Sequence, residues 1–266
     1  MLTTANSLRA HSRKVHVWRA RLSASATDLA ELVGLLSSQE RERAGRFRNE
    51  RDRARFALGR IIARSVLGQC LQRPPKDVQL TLDRSDKPVV ANCGNIEPHF
   101  NITHSEDYVL FAVASGRRVG VDVEKIREVE DLKEIAARHF SKSEYLTLQA
   151  IPEPLRTKSF FTCWTLKEAY LKARGDGLRL PLDTFDVAFA PDERPRLLET
   201  RFDPADADRW HFHELDLGPA YVAALAIEAG AEPELKLWDW NSRSASATHA
   251  TCATRRRRSM GASRTG

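Results

Sequence analysis

A repeat at a spacing of 104 residues constrains this chain more than any other feature. Val15-His-Val-Trp18 and Val119-Gly-Val-Asp122 are alternating, strand-like segments 104 positions apart. Ser37 and Glu40 recur as Ser141 and Glu144 at the same spacing, and each pair has the Ser-x-x-Glu form of a helix capping box. Phe56 and Phe160, and Leu67 and Leu171, keep the interval inside long helical patterns. Later, Tyr108-Val-Leu-Phe-Ala-Val resembles Tyr221-Val-Ala-Ala-Leu-Ala at an interval of 113. Strand, capped helices and late hairpin therefore occur twice in the same order, which predicts a duplicated α+β unit. The expected halves are 13–116 and 117–232, packed about a pseudo-twofold axis with the site between them.

The predicted elements follow from periodicity. In the first half, a strand at Val15–Trp18 precedes helices at Ser38–Phe47 and Asp52–Leu71. Strands at Val78–Leu82, Val89–Ala91, Phe100–Thr103, Tyr108–Ser115 and Arg118–Glu124 are read from β-branched and aromatic content. Helices at Leu132–His139, Ser143–Gln149 and Lys158–Ala173 precede strands at Phe185–Phe189, Trp210–Leu215 and Tyr221–Ile227. Gly175-Asp-Gly177 is a helix stop. From Asn241 the chain is Ser/Ala/Thr/Arg-rich with no hydrophobic period, so 241–266 is expected to be a disordered tail.

Charge distribution narrows the function classes. The net charge of +6 suggests nucleic acid at first sight. Six arginines lie in the tail, however, which holds no acid; without it the body carries 36 basic and 36 acidic residues. Residues 9–64 hold 14 Lys/Arg against 6 Asp/Glu, and 65–240 hold 22 against 30. A basic segment beside an acidic one suits a site that holds a small polyanion on one side and a cation on the other. No window approaches the ~18 apolar residues of a membrane span, and the N-terminus lacks the apolar stretch of a signal peptide. The four cysteines are scattered, with no CxxC pair, which fits a reducing cytoplasm.

Three segments can carry chemistry. In Gly120-Val-Asp-Val-Glu124, strand alternation puts Asp122 and Glu124 on one face. Adjacent carboxylates repel unless a cation lies between them, and a hard oxygen-liganded ion such as Mg²⁺ suits them; a solvated strand face is the plain alternative. In Trp164-Thr-Leu-Lys-Glu-Ala-Tyr-Leu-Lys172, Glu168 and Lys172 are i and i+4 on one helix face. They read either as a surface ion pair or as a third carboxylate with a phosphate-facing cation. Phe100-Asn-Ile-Thr-His-Ser105 ends a strand in Thr103, His104 and Ser105, with His104 a base, a phosphate binder or a structural hydrogen-bonder. Lys87 lies in an Asp-Lys-Pro turn. Arginines at 41, 43, 46, 48, 51, 53 and 55 form either a solvated helix face or an anion site. His211 and His213 share a strand face without an evident third ligand and are read as structural.

Taken together, GVDVE, the W-x-x-K-E-x-x-x-K segment about forty residues later, FNITHS and the upstream SDKP resemble the 4′-phosphopantetheinyl transferases. The duplicated halves make the chain similar to the Sfp-type, pseudo-dimeric branch. The resemblance covers about 15–230. It implies transfer of 4′-phosphopantetheine from coenzyme A to a serine of an apo acyl, polyketide or peptidyl carrier protein, releasing adenosine 3′,5′-bisphosphate. It further implies Asp122, Glu124 and Glu168 as magnesium ligands, Lys172 on the pyrophosphate, and Glu168 or a water beside it as proton acceptor. Lys87, Thr103 and His104 match positions around the coenzyme A nucleotide and its 3′-phosphate. Arg55 matches an arginine on that phosphate, and Arg43 falls near another basic position. A cytoplasmic monomer with no nucleic-acid or membrane partner is expected. Two rivals remain: a nucleic-acid binder using the Arg-rich helix and tail, and a non-catalytic pseudo-dimer that merely binds carriers.

Overall fold

The computed structural model describes residues 13–22, 30–83, 87–93, 97–175, 180–230, 232–241 and 251–252. The first half runs β1 (Lys14–Arg21), α1 (Ser38–Gly45), α2 (Glu50–Leu71), a small hairpin β2 (Leu80–Leu82) and β3 (Pro88–Val90), then β4 (Pro98–Ser105) and β5 (Tyr108–Ser115). The second half runs β6 (Val119–Lys125), α3 (Leu132–His139), α4 (Lys142–Ala150), α5 (Glu153–Arg174), a ribbon β7 (Phe185–Ala188) and β8 (Arg196–Thr200), then β9 (Trp210–Glu214) and β10 (Tyr221–Glu228). β11 (Glu234–Asp239) and β12 (Thr251–Cys252) follow.

Both capping boxes form. Ser37 Oγ accepts from the Glu40 amide while Glu40 accepts from the Ser37 amide, and Ser141 and Glu144 repeat the exchange. Each glutamate also holds a buried cation from the long helix that follows: Arg64 Nε lies 2.7 Å from Glu40, and Lys167 Nζ 2.8 Å from Glu144. A local helix-start signal is thereby tied to helix–helix docking.

The duplication extends to strand register. One sheet has the order β12-β11-β1-β5-β4 and the other β6-β10-β9, so β1-β5-β4 and β6-β10-β9 are the same antiparallel motif. Trp18 faces Phe111 across β1 and β5; shifting by 104 and 113 gives Asp122 facing Ala224 across β6 and β10. Asn101 faces Ala112 across β4 and β5, and its counterpart His213 faces Leu225. The fold is thus α+β with two like halves.

Strand alternation sorts the cores. One face of each sheet packs on its own long helix: Trp18, Ala20, Val109, Phe111 and Val113 with α2, and Val222, Ala224 and Ala226 with α5. The opposite faces meet each other. Val15, Val17, Leu110 and Ala112 pack there with their counterparts Val119, Val121, Ala223 and Leu225, together with Leu215 and Leu217. Tyr108 and its counterpart Tyr221 touch edge to face at 4.8 Å between ring centroids.

Three strands were not foreseen: β8, β11 and, inside the tail expected to be disordered, β12. β8 (Arg196–Thr200) is five residues long, buries only Leu197 of its two leucines and is paired only with β7. β11 runs parallel to β1, some 220 positions earlier in the chain (Lys14 beside Glu234), and carries Trp238 and Trp240 into the first-half core. There the His16, Trp18 and Trp238 rings form a mutual cluster, with centroids 5.6, 5.8 and 6.2 Å apart, and His16 Nδ1 accepts from Trp238 Nε1 at 2.9 Å. Burial, seconded by Lys14 and Lys236, pushes the His16 pKa down to about 4. Of the tail beyond Asn241, only Thr251–Cys252 falls among the described residues, paired with β11.

Candidate active site at the seam between the halves

The site forms where β4 of the first half runs beside β6 of the second. Asn101, Thr103 and Ser105 alternate along β4 and all reach β6. Asn101 Oδ1 accepts from the Val121 amide at 3.0 Å. Thr103 Oγ1 donates to Asp122 Oδ1 at 3.1 Å. Ser105 Oγ donates to Glu124 Oε2 and accepts from the Lys125 amide, both at 3.1 Å. Asn101 was not singled out from sequence, and Ser105 was noted only as a hydroxyl. The alternation N-I-T-H-S was the available signal, because it puts those three polar side chains on one face.

Helix α5 brings Glu168 and Lys172 to the same seam because Gly120 gives it room. A Cβ on Gly120 would fall 2.1 Å from the Ala169 carbonyl oxygen and 2.3 Å from the Ala173 nitrogen. Strand and helix backbones are therefore in direct contact two residues from Asp122. Lys172 Nζ donates to Asp122 Oδ1 at 2.5 Å and lies 3.3 Å from Thr103 Oγ1. Lys87 reaches in from the β2–β3 turn and donates to the Lys172 carbonyl oxygen at 2.7 Å. Desolvation lowers the Lys87 pKa. The neighbouring Lys167 belongs to the scaffold instead. It is fully buried, bonded to Glu144 and to the Leu182 and Phe185 carbonyls.

Electrostatics couple the carboxylates. Desolvation, then the Asp122 charge, raises the Glu124 pKa. Desolvation raises that of Glu168 too; Lys172 opposes the rise, and Asp122 and Glu124 add to it. Asp122 is buried, and its Oδ2 has no hydrogen-bond partner among the described residues. Such an orphaned oxygen calls for a ligand. Among the described residues no group of three or more His, Cys, Asp or Glu side chains is gathered closely enough to hold a metal ion as it stands. The donor set nevertheless fits Mg²⁺, with three hard oxygen donors, one buried and unpaired, beside a lysine that supplies positive charge in the interim.

The residues expected on the nucleotide side divide. His104 is exposed at the end of β4; the surrounding protein first, then the Arg55 and Lys172 charges, lower its pKa. Arg55 lies close enough to act on it, but its guanidinium is bonded to Asp52, to Glu106 and to the Glu106 carbonyl. Arg43 lies in another part of the first half. It packs over the Phe56 ring, as does Arg60, each at 5.4 Å, in a cavity of about 560 Å³ shared with Arg46 and Leu80–Leu82. Most of the arginine run bonds to the protein itself: Arg41 to Leu36, Arg46 to Glu42, Arg51 to Asp107 and Arg53 to Phe47. His211 and His213 line a separate cleft, where their Nε2 atoms are buried with no hydrogen-bond partner among the described residues.

Comparison with known proteins places this architecture. Residues 118–226 match the sequence model of the 4′-phosphopantetheinyl transferase superfamily, and 20–116 match that of the 4′-phosphopantetheinyl transferase N-terminal domain. The chain belongs to the 4′-phosphopantetheinyl transferase superfamily. It is 38% identical to the transferase HetI of a Nostoc species, covering 86% of this chain and 93% of that one. With the transferase Sfp of Bacillus subtilis the identity is 35%, over 60% of this chain and 69% of the relative. Among solved structures, the holo-[acyl-carrier-protein] synthase of Thermotoga maritima aligns at a TM-score of 0.35 and 22% identity, over 45% and 65% of the two chains. As a phosphopantetheinyl transferase of the Sfp type, the chain has one family model in each half, meeting between β5 and β6.

Proposed function

We infer that this transferase moves the 4′-phosphopantetheinyl group of coenzyme A onto a serine of an apo carrier protein, with Mg²⁺ as cofactor. The observation that carries the reading is the meeting of Lys172, Asp122 and Thr103 at one point of the seam, flanked by Glu124 and Glu168. Asp122, Glu124 and Glu168 would hold the ion, which, when bound, neutralises charge on the two adjacent phosphates. Lys172 swings from Asp122 to the pyrophosphate and stabilises the charge that builds as the phosphoanhydride breaks. The serine oxygen bonds to the β-phosphorus, the bond to adenosine 3′,5′-bisphosphate breaks, and the serine proton passes to Glu168 or to a water beside it. Lys87, Thr103 and His104 would hold the nucleotide end; the bonds of Lys87 to the Lys172 carbonyl and of Thr103 to Asp122 support a place beside the pyrophosphate. Arg55 would join them by exchanging Glu106 for phosphate, and Arg43 would reach the same end from its own cavity. An acidic carrier is favoured by the basic first half.

Among the described residues no helix is long and apolar enough to cross a membrane. A monomer acting in the cytoplasm on a protein substrate fits these features. The nucleic-acid reading draws less support from the helix run, where five of the seven arginines are bonded to protein acceptors; the tail arginines lie outside the described residues. Incubation of an apo carrier with coenzyme A, Mg²⁺ and this protein, followed by mass spectrometry, tests the reading. The expected result is a gain of one phosphopantetheinyl group on the carrier serine; an unmodified carrier under all metal and carrier conditions refutes it.

A further inference from the structure

Glu168 and Lys172 occupy one face of the last two turns of α5. Tyr170 and Arg174, also i and i+4, occupy another, about 200° around the helix. That second face is gripped by a single buried carboxylate. Asp206, in a short 3₁₀ turn (Pro204–Arg209), is 1% exposed. Its Oδ2 accepts from both the Tyr170 hydroxyl and Arg174 Nη1, and its Oδ1 accepts from Trp210 Nε1 at 3.2 Å. Arg209 adds a longer ion pair at 3.6 Å. The cluster is closed by aromatic faces: Arg174 lies over Phe202 at 4.6 Å, and Tyr170 meets Trp210 edge-on at 5.3 Å. Burial alone would raise the Asp206 pKa, but the hydrogen bonds from Tyr170 and Trp210 and the Arg174 charge outweigh it and hold the group below its ordinary range.

We propose that Asp206 is a positioning residue for transfer, fixing the rotation and height of the α5 turn that presents Lys172 to Asp122 and the substrate pyrophosphate. Three contacts around one turn make the assignment. Asp206 holds Tyr170 and Arg174, the residues two before and two after Lys172. The β6 backbone at Gly120 abuts Ala169 and Ala173. Lys87 holds the Lys172 carbonyl. The Gly120 contact sets the distance between helix and strand. The Asp206 contact resists turning, because it binds two side chains a full turn apart to one carboxylate. Small displacements matter here, since misplacing a catalytic group by about 1 Å can cost on the order of 10²-fold in rate. Asp206 itself lies across the helix from the seam, so its effect passes through α5.

The inference rests on the transfer activity proposed above, and its test separates the two. Initial rates of carrier modification, by mass spectrometry over a range of coenzyme A concentrations up to saturation and below the unfolding temperature, are compared for wild type, Asp206→Asn, Lys172→Ala and the double variant. Asp206→Asn keeps the side-chain size but removes the charge that binds Arg174. The expected loss is about 10-fold in kcat in the wild-type background, with KM for coenzyme A within about 3-fold, and a smaller one, about 3-fold, in the Lys172→Ala background, where Glu168 alone is left to be misplaced, because residues acting as a unit are non-additive. A merely structural role would lower both backgrounds by the same factor, and that result, or an unchanged kcat in Asp206→Asn, overturns the proposal. Should Asp206→Asn fail to fold, the same cycle with Tyr170→Phe decides, with equal losses in both backgrounds again the overturning outcome. An inactive wild type would instead refute the transfer reading.

Discussion

Replacing Gly120 by alanine tests the strand–helix contact on which the site depends. The new Cβ would lie 2.1 Å from the Ala169 carbonyl oxygen, 2.3 Å from the Ala173 nitrogen and 2.9 Å from its Cα. All three are helix backbone atoms, so no side-chain rotation relieves the clash. Restoring ordinary contact near 3.4 Å requires α5 and β6 to part by about 1.3 Å. Overpacking a core by one methyl costs about 1–3 kcal/mol, and a backbone-to-backbone clash belongs at the upper end; the reduced freedom of the unfolded chain returns about 0.4–1 kcal/mol. A net loss of about 2–3 kcal/mol is expected from urea unfolding. The same parting carries Lys172 and Glu168 away from Asp122, so turnover should fall on the order of 10²-fold in molecules that remain folded. Gly45→Ala is the control, since its Cβ meets nothing within 4 Å; it should change stability by no more than about 1 kcal/mol. If Gly120→Ala keeps its stability to within about 0.5 kcal/mol and its turnover to within 3-fold, the close approach does not hold the site together.

Three further outcomes are expected. Asp122→Ala should cut carrier modification on the order of 10²-fold or more, and Lys172→Ala should slow turnover while leaving Mg²⁺ binding by calorimetry largely intact; wild-type turnover of Asp122→Ala at limiting Mg²⁺ would reduce Asp122 to a buried structural partner of Thr103 and Lys172. His16, neutral in the fold with a pKa of about 4, gains its proton on unfolding at its ordinary 6.5. Stability is therefore full above pH 6.5 and falls as pH drops towards 4, by about 3 kcal/mol at 1.36 kcal/mol per pH unit. Urea midpoints across that window should fall less steeply for His16→Gln, and parallel slopes contradict the assignment. Truncation after Trp240 should leave turnover within a few-fold, whereas truncation after Pro233, which strips β11 and two tryptophans from the first-half core, should cost about 3–5 kcal/mol or abolish folding.

What the sequence revealed divides along physical lines. The capping boxes at Ser37 and Ser141 were legible because a cap is decided by four consecutive residues. The like halves were legible because duplication preserves spacing, and the shared register of Trp18–Phe111 and Asp122–Ala224 is the same fact in three dimensions. β11 was not, because its alternation is short and charged and its partner strand lies at the other end of the chain. The candidate carboxylates and Lys172 could be named from motif and periodicity. That Thr103 and Ser105 would hold Asp122 and Glu124 depended on β4 lying beside β6, a contact between halves that no local pattern encodes. Arg55 illustrates the converse: its position was readable, but its partners Asp52 and Glu106 were not. Lys167 and Glu168 are adjacent in one motif, and the helix turns one into the core and the other into the seam.

The matching registers also show how far the two copies have parted. The positions equivalent to Asp122 and Glu124 in β1 are Trp18 and Ala20, buried against α2. The position equivalent to Thr103 is Leu215, whose amide bonds to Ala223 as the ladder requires, and Leu217 stands for Ser105; both are packed with Val15 and Val17. A symmetric assembly of identical subunits must put the same residue in every equivalent place, so a polar site and a greasy joint cannot share one codon. Joining the copies in a single chain lifts that restriction. One junction is free to evolve for chemistry while the other is selected for cohesion alone, and substitutions that would ruin the first can accumulate in the second at no catalytic cost.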